Sequence, residues 1–194
     1  LIYFYIGDCY DNLEEHRNAL TYFEKAVKKD ETMAEAWLGA SSSLDVLGRE
    51  FEALEYAKKA ISSDPENGDY WCFYGGLQSK YDLPNEAQIS FETAIEKGYL
   101  MEDVWVDYAQ LCLSLKNDEK AQNIIDRGLS LHEDNFRLQL YRAVVLYRQK
   151  NEDEGFEILV QVLMQDPLLI EEFILFYPKG MEVEEIQFLI ESMK

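Results

Sequence analysis

Histidine is almost missing from this chain: His16 and His132 are the only two among 194 residues. They stand far apart, each near an expected helix end, and offer no pair for metal binding or proton transfer. Cysteine is scarce as well. Cys9, Cys72 and Cys112 form an odd set without a close pair, so no disulfide framework or zinc motif can be read from them; a reducing, cytoplasmic setting is favoured. Basic residues number 18 against 38 acidic ones, a formal net charge of −20. Such a chain repels a phosphate backbone, and nucleic acid is not an expected partner. No charge-free run reaches membrane-spanning length; the most apolar stretch, Pro167 to Pro178, contains Glu171 and Glu172. Glycine-rich phosphate loops, nucleophile elbows and Cys-x-x-Cys pairs are absent. Adjacent acids such as Glu14 with Glu15, Asp30 with Glu31 and Glu184 with Glu185 do not converge from one helix face. No catalytic, cofactor-binding or metal-binding residue is nominated, and the chain is read as a non-enzyme. It begins at Leu1 without a methionine, and Leu1 to Ile6 lacks the character of a signal peptide. The expectation is a fragment of a larger, bacterial protein.

What the chain does contain is apolar and aromatic material: 47% hydrophobic residues, with 13 Tyr, 10 Phe and 3 Trp, far more than a disordered chain carries. That material recurs. Trp37, Trp71 and Trp105 are spaced by 34 residues, and the same step reaches Tyr3, Gln139 and Phe173. Other columns keep the interval. Gly7, Ser41, Gly75, Ala109 and Ala143 are small, as are Ala19, Ala53, Ala87, Ala121 and Gly155, and Ala26, Ala60, Ala94 and Gly128 before Val162. A mostly large column runs Phe23, Ala57, Phe91, Ile125 and Leu159. Apolar residues at three- and four-residue spacing in Ala34 to Leu47 and in Phe51 to Ile61 predict two helices per repeat. Small side chains let the two axes approach, and large ones fill the space beside them. Gly48, Asp64 with Pro65, Pro84 with Asn85, Asn117 with Asp118, and Asp166 with Pro167 supply the breaks.

These residues resemble the tetratricopeptide repeat, whose pattern of Trp, Leu, Gly, Tyr, Ala, Phe, Ala and Pro spans 34 residues. The second unit matches with Trp37, Leu44, Ala53, Ala60 and Pro65, the third with Trp71, Gly75, Ala87, Phe91 and Ala94, and the first with Gly7, Tyr10, Ala19, Phe23 and Ala26. The resemblance implies an all-α fold, a right-handed α-α superhelix or solenoid of tandem helix-turn-helix hairpins. Repeats are expected over residues 1–167, at about 1–33, 34–67, 68–101, 102–135 and 136–167, followed by a partial sixth hairpin and a capping helix over 168–194. Gln139, Gly155 and Val162 mark a divergent fifth unit, Pro178 ends the sixth, and Val183, Ile186, Leu189, Ile190 and Met193 lie at the spacing of a terminal helix.

In that family the first helices of successive hairpins line a concave groove, which implies a protein-interaction scaffold that binds a peptide or protein. Acid collects towards the N-terminal end of the groove, at Asp8, Asp11, Asp45, Glu35 and Asp69. The C-terminal end offers Val106, Gln110, Leu113, Arg137, Leu140, Val144, Tyr147 and Arg148 as the expected partner-binding set. The lysine and asparagine with which some family members grip the acidic tails of heat-shock chaperones are missing from the columns of Leu38 and Ser42. A basic or apolar ligand is therefore expected in preference to an acidic one. Alternatives are a regulatory repeat domain of a larger enzyme or complex, and a structural element that self-associates through the end bearing Tyr3 and Phe4.

Overall fold

The computed structural model describes residues 1–192. Among them the regular elements are all helical. The chain divides into two compact units, Leu1–Tyr99 and the residues from Leu100 onward. The first holds α1 (Ile2–Asn12), α2 (His16–Lys29), α3 (Ala34–Val46), α4 (Glu50–Ser63), α5 (Gly68–Lys80) and α6 (Pro84–Glu96). The second holds α7 (Glu102–Ser114), α8 (Asp118–Leu131), α9 (Phe136–Arg148), α10 (Glu152–Gln165), α11 (Leu169–Phe176), a 3-10 turn (Pro178–Glu182) and α12 (Glu184–Ser192). In each unit consecutive helices pack as antiparallel hairpins, α1 on α2 through α9 on α10. Met193, assigned by its spacing to the terminal helix, lies outside the described residues.

The small and large columns meet as steric complements. Phe23 of α2 is wedged between Gly7 of α1 and Gly39 of α3, where an added Cβ would stand 2.8 and 2.6 Å from its ring. Phe91 packs on Gly75 in the same way. Where the large column shrinks to Ala57, the small column grows to Ser41, whose buried hydroxyl donates to the carbonyl of Ala53 at 2.7 Å. A ring set against glycine in the first and third hairpins is what close packing demands.

Loops repeat as faithfully as helices. Glu14, Gly48, Asp82, Lys116 and Lys150, one every 34 residues, all have φ between 56° and 72° and close the turn inside each hairpin. This left-handed position following a helix suits glycine, and a side chain there is held against its backbone preference. Between hairpins, Asp30, Asp64, His132 and Asp166 leave their helices with φ from −148° to −132°. Gly98 occupies that column at φ +83°, and the boundary between the two units follows at once. Asn67, Asn117 and Asn135 cap α5, α8 and α9 by accepting from the amides of Asp69, Lys120 and Leu138.

The tryptophan column has a polar reason as well. Trp37 Nε1 donates to the carbonyl of Glu31 at 2.8 Å and Trp71 Nε1 to that of Pro65 at 3.0 Å, each six residues upstream. Gln139 departs from the pattern in shape but not in bonding: its Nε2 donates to the carbonyl of Glu133 at 2.8 Å. Trp105 differs, since its buried Nε1 has no partner among the described residues.

Candidate functional site

Within the second unit, the residues nominated as an apolar groove are interior. Leu113, Leu140 and Val144 are fully buried, and Val106 and Tyr147 nearly so. Apart from the edge of Tyr147, which lines a cleft, they present nothing for a partner to touch, which corrects the expectation of an open surface there. Much of the cause is α11, which packs on α9. Phe173 stacks edge-on to Tyr147 at 5.5 Å between ring centres, and Phe176 does the same to Tyr141 at 5.6 Å.

The nominated cations are used internally too. Arg137 donates through both Nε and Nη2 to Glu172 of α11, at 3.2 and 2.6 Å, while the hydroxyl of Tyr141 donates to the same carboxylate. Burial and that bond push the Tyr141 phenol far above its usual range. Arg148 ties three elements together, donating to Asp118 Oδ1 at 2.5 Å, to the carbonyl of Phe176 at 2.7 Å and to that of Leu113 at 3.2 Å. Gln110 is half-buried. Beside this network Asp107, half-buried, has its carboxyl pushed up by desolvation and by Asp103, against the opposing pull of Arg137. Sequence columns could not show this. Phe173 keeps the 34-residue step, but spacing does not show that Glu172 beside it reaches Arg137.

In the first unit the equivalent face stays open. Helix α1 lies against α3, and α3 is tied to α5 by an ion pair of 2.7 Å between Lys80 Nζ and Asp45 Oδ1. Val46 is 56% exposed, and Leu38 and Ser42 are half-buried. A Cβ added at Gly76 would meet nothing within 4 Å, so the space beside α5 is open at that point. Glu35 and Asp8 are exposed at its margin. The acidity is lower than the residue columns indicate. Asp45 also accepts from the hydroxyl of Tyr81, whose phenol is driven up by burial and then by that bond. Asp11 lies 3.0 Å from Nδ1 of His16.

The remaining single residues are placed plainly. His132 sits at the end of α8, where Nε2 is 2.7 Å from the carbonyl of Leu100 and must donate to it. Cys72 and Cys112 are buried and Cys9 is exposed. Among the described residues no three His, Cys, Asp or Glu side chains are placed to hold a metal ion, and no helix is long and apolar enough to cross a membrane.

Residues 6–68 match the family model of the tetratricopeptide repeat. Several solved structures share the fold. The PilF protein of Pseudomonas aeruginosa is 20% identical, with a TM-score of 0.83 over 98% of this chain and 86% of that one. MamA is 18% identical, with a TM-score of 0.74 over 88% of this chain and 93% of its own. YrrB, described as having an unusual peptide-binding site, is 19% identical, with a TM-score of 0.69 over 85% of each chain.

Proposed function

We propose that this chain, which carries tetratricopeptide repeats and shares their fold along its length, is a docking module that takes a peptide on the open face of α1, α3 and α5. The observation that carries the reading is the open space at Gly76 of α5, with Val46 exposed on α3. An apolar floor with acid at its margin, from Asp8 and Glu35, favours a ligand that alternates apolar and basic side chains. The solved structure of YrrB, with its peptide-binding site, is a precedent for such use of the fold. Repeats spanning 1–33, 34–67 and 68–101 supply the three helices.

The test is selection of a displayed peptide library on the immobilised chain, followed by rebinding to a Val46→Gln, Gly76→Gln protein. Peptides that pair Lys or Arg with apolar residues and lose binding to the variant are expected. Enrichment of acidic peptides, or rebinding that ignores both substitutions, would sink this reading. A second reading is self-association through α1, favoured by Leu1 and Ile2, each 76% exposed. Sedimentation that shows one mass across a wide concentration range would remove it.

A further inference from the structure

In a chain with 18 basic and 38 acidic residues, one cleft of about 550 Å³ in the second unit gathers four cations against two carboxylates. Lys116 and Lys150 reach it because both occupy the left-handed turn position, in α7–α8 and α9–α10 respectively. Lys179 joins them from the 3-10 turn after α11. Of the fourth, Arg148, little charge is left over, since Asp118 accepts from it. The three lysines are exposed and make no salt bridge among the described residues. The walls between them are aromatic: Phe176, Tyr177 and the edge of Tyr147.

We propose that this cleft binds a short acidic peptide segment carrying an aromatic residue, at a site separate from the open face of the first unit. Three ammonium groups against the one remaining carboxylate, Glu152, supply the attraction for an acidic ligand, and the ring-lined wall supplies a seat for the aromatic side chain. Surface charges more than about 8 Å away are screened at physiological salt, so local lysines outweigh the distant acidic excess.

Length is limited by what lies next door. A neighbouring cleft shares Tyr147 and Glu152 but is lined by Asp153, Glu157 and Glu185. A long polyanion leaving the lysines would run onto those carboxylates. That juxtaposition favours a few acidic residues over a nucleic-acid strand, whose phosphates continue on both sides.

The experiment is fluorescence anisotropy of the whole chain with a labelled pentapeptide, Glu-Glu-Phe-Glu-Glu, at low salt, beside its Lys-Lys-Phe-Lys-Lys counterpart and an oligothymidylate. Two variants accompany it: Lys116→Ser, Lys150→Ser, Lys179→Ser, and an equal-charge control, Lys28→Ser, Lys29→Ser, Lys58→Ser. The acidic peptide is expected to saturate the chain, to weaken about tenfold with the first variant, and to be little changed by the second. Circular dichroism identical to the parent establishes that both variants are folded. No saturable binding, equal loss in the two variants, undiminished binding to the first, or equal preference for the oligothymidylate would each overturn the proposal. None of these outcomes bears on the face at Gly76, whose own test uses different residues.

Discussion

At the scale of residues, hydrogen bonding explains a departure that looks like decay. Gln139 stands where tryptophan is expected, yet its amide makes the bond that the indoles of Trp37 and Trp71 make. Gln139→Leu should therefore cost about 1 kcal/mol in urea unfolding despite its similar size, because the donor is lost. A neutral result would show that the bond contributes nothing. Asp107 carries a pH signature. Its folded carboxyl is raised above the ordinary 3.8 by desolvation and Asp103, so the folded state holds the proton more tightly than the unfolded chain. Its contribution favours folding at low pH and is lost as pH rises through the raised value. Asp107→Asn should stabilise the chain at pH 7, and that advantage should shrink as unfolding is measured nearer pH 4. An advantage independent of pH would rule out the charge as its cause.

At the scale of elements, α11 decides which surface exists. It has only eight residues and stops at Tyr177, because Pro178 cannot extend it. Yet it supplies Phe173, Phe176 and Glu172, three groups that occupy the face of α9. Gly180 of the following turn closes on Phe173, with space for no Cβ. Phe173→Ala should cost about 3–5 kcal/mol in unfolding free energy, since the ring is fully buried. It should also raise the binding of a hydrophobic dye, as Tyr147 loses its cover. Unchanged dye binding together with a small cost would mean that α11 is not what closes this face. The terminal helix, whose apolar spacing runs from Val183, begins at Glu184, after a 3-10 segment over Pro178–Glu182. Ile186 is its fully buried residue.

At the scale of the whole molecule, charge is the dominant feature. A net charge of −20 makes the folded state repel itself, and that repulsion is screened within about 10 Å at 0.1 M salt. Raising sodium chloride from about 20 to about 300 mM should lift the thermal midpoint by a few degrees. A falling midpoint would mean that ion pairs such as Arg137 with Glu172 outweigh the general repulsion.

Fold class was legible because it rests on local rules repeated in register. Helix periodicity, Gly7 opposite Phe23 and Gly75 opposite Phe91, turn residues and the 34-residue step each act over short stretches, and their agreement leaves one architecture. The lysines of the turn column, Lys116 and Lys150, were visible at the same interval, but nothing in their spacing showed that Lys179 would join them. What tertiary structure alone decided was accessibility. A column assigns a side chain to a helix face; whether that face is open depends on what packs over it. In the first unit the face at Gly76 stays uncovered, while in the second the short α11 lies over Tyr147 and takes Arg137 as its ion partner. Repeat spacing records which faces recur; how far the next helix covers a face depends on contacts such as Phe173 on Tyr147 and Glu172 on Arg137, which the columns do not specify.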